Sequence, residues 1–241
     1  MFLQHIPYYK IKKKHFETLI KLRSQEKAVQ TTIRLSLFDE KFKKFLSFYQ
    51  ENYMNSNSRH LTDLVALYIL GPNRKFLEIG AYDPINGSDT YFLEKFHSWK
   101  GVQIEPNSSD CEKLRSVRTS TVVCAAVINE AEISKKMYLD TELGKVSTKK
   151  TKNLVSLITL DEIVNQFGSD FDALFIDVEG MESDIIRSET FAQFNFKFVS
   201  VERIWKSTEI YSNMLSLGYI NIWGDISGYE SWWVKEPLFN L

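Results

Sequence analysis

The sequence has only two cysteines, Cys111 and Cys124, and no C-x-x-C pair. We therefore expect neither a disulfide scaffold nor a cysteine zinc site, and we predict a reducing, cytoplasmic location. No charge of one sign dominates, since 30 basic residues oppose 31 acidic ones, which argues against a dedicated nucleic-acid binder. The longest apolar run, near Leu64 to Leu70, is far shorter than the roughly 20 residues that cross a bilayer. The amino terminus lacks the apolar core of a signal peptide.

The chain has enough apolar material for one core of ordinary size, with 44% hydrophobic residues among 241. Residues 1–60 combine an excess of lysine and arginine with apolar residues at helical spacing, which predicts a basic helical extension. We interpret it as a cap on the main domain at residues 61–241. A weak contact of its basic face with an anionic membrane surface is the alternative. A second helix is expected to end at Gly71-Pro72.

From Lys75 onward, short apolar runs alternate with helix-length segments, which is typical of a parallel sheet with crossover helices. The seven candidate strands are Phe76–Ile79, Val102–Glu105, Thr121–Ala125, Ala173–Asp177, Phe198–Val201, Tyr219–Trp223 and Tyr229–Val234. The last two are close together and predict an antiparallel hairpin at the sheet edge. This α/β plan is typical of the Rossmann-like class I methyltransferase fold. The polar stretch 141–153 is expected to be a loop or a lid.

The first candidate strand runs into a glycine turn, Gly80-Ala81-Tyr82-Asp83, at the sheet edge where open α/β sheets bind ligands. Gly80 would let the backbone approach a ligand closely. Glu105 ends the next strand and is suitably placed to accept hydrogen bonds from two ribose hydroxyls. This order of strand, glycine turn, helix, strand and acid predicts a cofactor that contains a nucleoside.

The residues after the glycine indicate which cofactor this is. A dinucleotide site requires G-x-G-x-x-G so that a helix amino terminus can bind pyrophosphate, whereas here a pyrophosphate would meet Asp83. S-adenosylmethionine has no phosphate and carries an ammonium and a sulfonium, for which Glu78 and Asp83 are suitable neighbours by charge. The carboxylates favour S-adenosylmethionine.

A second group of acids comes after the strand Leu174–Ile176. Asp177 and Glu179 lie on one side of the chain if the strand continues, and either could orient or deprotonate a substrate hydroxyl. Glu202, which ends the next strand, is a further candidate base. The alternative is that these acids cap the helix beginning near Met181. An oxygen-rich cluster would also suit Mg²⁺, but the spacing identifies no third ligand, so we assign no metal-binding residue.

Several segments together resemble the FkbM-family methyltransferases, from Lys75 to about Trp233. The similar segments are Glu78–Asp83, Gly87–Lys95, Trp99–Val102, Ile104–Asn107, Leu157–Ile163, Ile176–Glu182, Val201–Glu202 and Leu217–Tyr219. The resemblance implies transfer of a methyl group from S-adenosylmethionine to an oxygen, most often a sugar hydroxyl of a glycan, glycolipid or secondary metabolite.

The resemblance also implies roles for individual residues. Its cofactor set comprises Glu78, Gly80, Ala81, Asp83, Ser88, Thr90, Glu105, Pro106, Ala125 and Asp177, with the methionine end at Glu78, Gly80 and Asp83 and the ribose at Glu105. Asp177 and Glu179 would face the acceptor, with Glu202 behind them. The sequence departs from the family at Asp83-Pro84, where a residue followed by glycine is common.

The remaining candidates are weaker. Four histidines are isolated in sequence, and we place none of them in the site. Trp205, Trp223, Trp232 and Trp233 could stack on a sugar, although core positions are the commoner use of such residues. The rival functions are methylation of a protein or a small non-sugar metabolite, a dinucleotide oxidoreductase opposed by the missing glycine motif, and a catalytically silent binding module. The oligomeric state, the sugar and the hydroxyl position are not determined by the sequence.

Overall fold

The computed structural model describes residues 39–129, 135–142, 144–202, 208–223, 226 and 229–236. The described α-helices are α1 (Glu40–Asn52), α2 (Thr62–Leu70), α3 (Tyr91–His97), α4 (Ser108–Val117), α5 (Leu160–Phe167), α6 (Glu182–Ile186) and α7 (Thr208–Ser216). The described strands are β1 (Lys75–Ile79), β2 (Lys100–Ile104), β3 (Thr121–Val123), β4 (Ala126–Ile128), β5 (Tyr138–Asp140), β6 (Lys145–Ser147), β7 (Leu157–Thr159), β8 (Ala173–Ile176), β9 (Phe198–Glu202), β10 (Tyr219–Ile222) and β11 (Glu230–Lys235).

Seven of these strands form one sheet in the order β10-β11-β9-β8-β1-β2-β3. The strands from β9 to β3 are parallel, and β11 is antiparallel to both β9 and β10. All seven predicted strands are confirmed, and so is the terminal hairpin. The last strand of the hairpin lies inside the sheet, so that β10 forms the edge. This mixed α/β sheet is that of the class I methyltransferase fold.

Four short strands were not predicted. β4 pairs in parallel with β7, and β5 pairs with β6 in an antiparallel hairpin. β6 falls within the polar stretch that we expected to be a loop or a lid. Each of these strands has only three residues, and β4 finds its partner about thirty positions away. Such short runs carry too little periodicity to be recognised.

The sheet is covered by apolar residues on both faces. One cluster includes Leu77, Ile104 and Ile176 together with α5 and α7 residues, and the other includes Phe76, Phe175 and Trp232 together with α2 residues. Helices α1 and α2 both contribute residues to the second cluster. Helix α2 ends at Gly71 as predicted, where φ is +72°, and α1 packs onto the cluster through its buried aromatic residues.

Helix α1 contacts the domain through Phe42 and Phe45, whose ring centroids lie 5.3 and 4.7 Å from that of Trp223. Asp39 caps this helix by accepting a hydrogen bond from the Phe42 amide. Residues 1–38 of the predicted basic extension lie outside the described residues. A boundary between the extension and the domain at residue 60 stays a prediction.

The two cysteines form a disulfide, which corrects the sequence analysis. Cys111 on α4 is joined to Cys124 after β3, with 5.9 Å between their Cα atoms. No pattern in the sequence marks this pair, because the residues become neighbours only when β3 is placed beside β2. Disulfides persist mainly in oxidising compartments, so this pair argues against the predicted reducing compartment. The cytoplasmic location stays a prediction. Among the described helices, none is long and apolar enough to cross a membrane.

Candidate active site

Two adjoining cavities lie at the carboxyl ends of the parallel strands. The first cavity is lined by acidic side chains from several elements: Glu78, Asp83, Asp89, Asp177, Glu179, Glu202 and Glu230. The second cavity is lined by Ile104, Glu105, Pro106, Ala125, Val127 and Leu139, among others. Both cavities share Arg59, Ile79, Gly80, Tyr82, Asp177 and Glu179. The two cavities therefore meet at the glycine turn after β1.

Gly80 is required by the protein's own backbone. Its φ is +89°, and a Cβ atom there would lie 1.7 Å from the carbonyl oxygen of Asp177. Its amide donates to the carbonyl oxygen of Ile104 at 2.8 Å, and the amide of Ala81 donates to the same oxygen at 3.2 Å. These contacts hold the turn against β2 and β8, and they leave no room for a side chain.

Glu105 holds the same turn from the side of β2. Its two carboxylate oxygens accept the amides of Tyr82 at 3.0 Å and Asn107 at 2.8 Å. The side chain is buried, and burial raises the pKa of Glu105. Since a carboxylate offers about four lone-pair sites, two remain for further donors. Glu105, which the sequence analysis predicts to bind the ribose, therefore has a fixed position at the edge of the second cavity, beside Pro106 and Ala125.

Glu78 lies at the inner end of the first cavity and is held by a network that the sequence did not reveal. Its Oε2 accepts from the Thr90 hydroxyl at 2.7 Å and from the Gln103 amide at 2.6 Å. Arg118 donates to Thr90 at 2.7 Å and to Ser88 at 3.2 Å. Burial raises the pKa of Glu78, and the charge of Arg118 opposes that rise.

Two of the predicted cofactor residues belong to this network. Ser88 lines the first cavity. Thr90 is completely buried and lines neither cavity, so it supports the first cavity through its contacts with Glu78 and Ser88. Asp83 lines the first cavity, and its Oδ1 accepts the amides of Ile85 and Asn86. Burial alone would raise the pKa of Asp83, but these amides lower it below its ordinary value.

Asp177 and Glu202 form a hydrogen-bonded carboxyl pair. Ile176 of β8 is paired with Val201 of β9, so the next residues of the two strands leave the sheet side by side. Burial and then the charge of Glu179 raise the pKa of Asp177 to about 6, whereas burial and then the charge of Asp177 raise that of Glu202 to about 9. The pair titrates as a unit. Near neutral pH the pair therefore holds one proton and one negative charge.

Glu179 and Glu182 have different functions in the turn after β8. Glu179 is exposed in both cavities, with a φ of +55°. The side chain of Glu182 turns back and accepts the amides of Val178 at 3.0 Å and Gly180 at 3.1 Å. Glu182, and not Asp177 or Glu179, therefore satisfies the backbone of this turn. The capping alternative considered for the two predicted acids does not apply to them.

Asp177, Glu182 and Glu202 each bring one carboxylate oxygen within 4.8 Å of the others. Among the residues that the structure describes, no other such group has this spacing. The carboxylate of Glu182 already accepts two backbone amides. We assign no metal ion here, and the Mg²⁺ considered in the sequence analysis stays a prediction.

The structure adds residues to the first cavity from a distant segment. Arg59 and His60 come from the loop before α2, and His60 lies against Tyr229 with ring centroids 5.2 Å apart. Burial, aided by the charge of Arg59, lowers the pKa of His60. The sequence analysis placed no histidine in the site. No local signal could have done so, because about 170 residues separate His60 from Tyr229.

The described tryptophans that we considered for sugar stacking occupy core positions. Trp232 and Trp233 are each 1% exposed, and Trp223 packs against α1. Trp205 lies outside the described residues. These side chains fill the core, so the described tryptophans do not provide a sugar-stacking surface.

The sequence matches the family model for the methyltransferase FkbM domain over residues 78–220, more than half of the chain. The chain belongs to the FkbM methyltransferase family. The resemblance noted in the sequence is thereby confirmed, and the fold is that of an S-adenosylmethionine-dependent methyltransferase. A comparison with curated proteins gave no match.

Solved structures similar to this FkbM methyltransferase include three other methyltransferases. A TehB-like S-adenosylmethionine-dependent methyltransferase from Corynebacterium glutamicum is 8% identical over 80% of this chain and 97% of its own, with a TM-score of 0.42. The O-methyltransferase from Bacillus cereus, in complex with S-adenosylhomocysteine, is 12% identical over 83% and 93%, with a TM-score of 0.39. The plantazolicin methyltransferase BpumL, in complex with the same ligand, is 11% identical over 90% and 99%, with a TM-score of 0.40.

These similarities are too distant to carry an argument about substrate or residues. The assignment to the class I methyltransferase fold rests on the strand order and on the family match.

Proposed function

We propose that this methyltransferase transfers the methyl group of S-adenosylmethionine to a hydroxyl of an uncharged sugar, in a glycan, a glycolipid or a glycosylated metabolite. The observation that carries this proposal is the acidic first cavity beside Gly80. Carboxylates accept hydrogen bonds from hydroxyl groups and repel anions. A neutral polyol therefore suits the cavity, and a phosphorylated or carboxylated acceptor does not.

The residues around the second cavity suit the cofactor. Apolar walls from Ile104, Ala125 and Val127 fit a flat base, and Glu105 has two lone-pair sites for ribose hydroxyls. Toward the first cavity, Gly80, Ala81, Asp83, Ser88 and Glu78 surround a place for the cationic methionine end. The bound cofactor supplies an activated methyl group.

The chain's own contribution to the reaction is to orient the acceptor and to take up its proton. Asp177 lines both cavities, which supports a position for it between the acceptor and the cofactor. We assign it the role of general base, because it is the ionised member of the carboxyl pair near neutral pH. Glu202 keeps its proton and donates to Asp177, which fixes the direction of the carboxylate. Glu179 faces the acceptor from the same turn.

The first experiment tests the cofactor by calorimetric titration with S-adenosylhomocysteine and, separately, with NAD. We expect binding of S-adenosylhomocysteine alone, weakened about 10- to 100-fold in Glu105→Ala because two ribose hydrogen bonds to a charged group are lost. Glu112→Ala, an exposed acid on α4, is the matched control and should bind normally. Well-folded protein that binds NAD, or neither ligand, would contradict the proposal.

The second experiment tests the acceptor with S-adenosylmethionine carrying a labelled methyl group. The panel pairs neutral glycosides with the corresponding sugar phosphates and uronic acids, and adds peptides and phenolic metabolites. We expect label in the neutral glycosides. Label in peptides or phenols would support the alternative of a protein or small-metabolite methyltransferase. Binding of S-adenosylhomocysteine without transfer to any acceptor would favour the silent module. A glycolipid acceptor would also give the predicted basic extension a membrane surface to contact.

A further inference from the structure

Arg59 occupies the boundary between the two cavities. It is the one lysine or arginine that lines them in the part of the chain that the structure describes, and it lines both. Seven acidic side chains surround the first cavity. We therefore ask whether this single guanidinium binds an anionic group of the ligand.

The loop that carries Arg59 is anchored on both sides. Asp63 is completely buried and accepts from the Ser56 hydroxyl at 2.7 Å and from the Asn57 amide at 2.9 Å. The Ser58 hydroxyl donates to Asp89 at 2.6 Å. Two carboxylates thus fix the residues directly before Arg59, and the Ser58 hydroxyl oxygen accepts the amides of His60 at 3.2 Å and Thr62 at 3.0 Å after it. The position of Arg59 at the cavities is therefore built into the fold.

The side chain of Arg59 lies against a glycine. Ser58 forms a parallel bridge with Gly87, and a Cβ atom at Gly87 would lie 2.5 Å from Nε of Arg59. The guanidinium is exposed, and it has no hydrogen-bond or salt-bridge partner among the described residues. Its charge acts on Asp177, where it opposes the rise in pKa that burial causes. The donors of Arg59 are therefore directed to the site and are available to a ligand.

The cofactor's methionine moiety carries one anionic group, its carboxylate, beside an ammonium and a sulfonium. The acidic side chains suit the two cations and repel the carboxylate. A guanidinium matches a carboxylate in geometry and charge. We propose that Arg59 binds the carboxylate of the methionine moiety of S-adenosylmethionine. This inference rests on the proposed function, and it assigns a cofactor residue outside the family-matched segment 78–220.

The test uses two ligands that differ only in this carboxylate. S-adenosylhomocysteine has it, and S-adenosyl-3-thiopropylamine lacks it but keeps the amine. By calorimetric titration, wild-type protein should bind S-adenosylhomocysteine at least about tenfold more tightly. Arg59→Met should weaken S-adenosylhomocysteine by about tenfold and leave the decarboxylated ligand within about twofold. Arg59→Lys, which keeps the charge, should retain part of the preference.

Arg115→Met is the matched control, since Arg115 lies on α4 and lines neither cavity. It should alter neither affinity, and thermal unfolding should show that all variants are folded. If Arg59→Met weakens both ligands equally, or neither, the assignment is wrong while the proposed function stands. Failure of the wild-type protein to bind S-adenosylhomocysteine would overturn the proposed function and this inference together. The titration of the wild-type protein alone reveals that outcome.

Discussion

Asp177 and Glu202, at the ends of the neighbouring parallel strands β8 and β9, share one proton. The Ile176–Val201 register brings their carboxyl groups together, and burial raises the pKa of both, to about 6 and about 9. In the proposed reaction, this arrangement would supply an ionised base, Asp177, and a neutral acid, Glu202, that orients it. The pair also links activity and stability to pH.

Replacing Glu202 by glutamine should flatten the dependence of stability on pH. Because the folded-state pKa of Glu202 is raised above its unfolded value, its contribution is most favourable below about pH 4 and is lost as pH rises through about 9. The amide of Glu202→Gln keeps a donor to Asp177 and does not titrate. Relative to wild type, the free energy of unfolding of the variant should therefore rise by about 1–2 kcal/mol between pH 5 and pH 9.

Urea unfolding at pH 5, 7 and 9 measures this difference. Glu209→Gln, at an exposed site on α7, provides the control. Equal pH dependence in wild type and Glu202→Gln would show that the pair does not share a proton.

Replacing Asp177 by asparagine should remove the proposed general base. We expect kcat to fall about 10²- to 10⁴-fold, while the affinity for S-adenosylhomocysteine changes by less than about tenfold. In wild type, kcat/KM should rise with pH through about 6, since only ionised Asp177 accepts a proton. Two measurements separate these effects: rates with an acceptor that the wild-type enzyme methylates, and calorimetric titration of each protein with S-adenosylhomocysteine. An unchanged kcat in the variant would remove Asp177 from the mechanism.

Alanine at Gly80 should disrupt the site through the backbone. Its Cβ would lie 1.7 Å from the Asp177 carbonyl oxygen, so the turn must separate from β8. We expect a loss of more than about 3 kcal/mol in the free energy of unfolding. Gly218→Ala is the matched control, because Gly218 has a φ of +77° with nothing within 4 Å of an added Cβ, and it should lose only about 1–2 kcal/mol. Similar losses at both positions would contradict the close contact.

Arg118 should contribute far more to stability than a surface arginine. Its side chain is 1% exposed and forms a 2.8 Å ion pair with Glu94. Leucine there leaves Glu94 without its cation and Thr90 without a donor, at a cost of about 3–5 kcal/mol. Arg187 pairs with Asp184 and Glu209 at the surface, and Arg187→Leu should cost less than about 1 kcal/mol. Urea unfolding of both variants provides the comparison, and equal costs would refute the buried network.

Reduction of the Cys111–Cys124 disulfide should lower stability. Its ends are 13 residues apart, and a loop of that size predicts a loss of about 3 kcal/mol. Urea unfolding with and without dithiothreitol measures it, with Cys111→Ser/Cys124→Ser as a variant that should not respond to the reductant. Titration of free thiols in the protein as isolated tests whether the two cysteines are paired. Two free thiols would show that the cysteines are not paired and would support the predicted reducing compartment.

The parts of the site that could be predicted are those encoded by neighbouring residues. The apolar run Phe76–Ile79, the turn at Gly80 and the acid Glu105 succeed one another closely, and parallel strands bring such turns to one edge. The same reasoning placed Asp177 and Glu202 there. The strands β4 to β7 escaped because three residues give little pattern.

The sequence by itself determined the seven strands of the main sheet, the family and the acids at the strand ends, since these depend on local spacing. Only the tertiary structure decided which acids share a proton, which cation supports Glu78, and which residues complete the cavities. Arg118 reaches Thr90 across 28 positions, and His60 meets Tyr229 across the whole domain. Contacts of this range, and the burial that shifts each pKa, arise only when distant segments pack together.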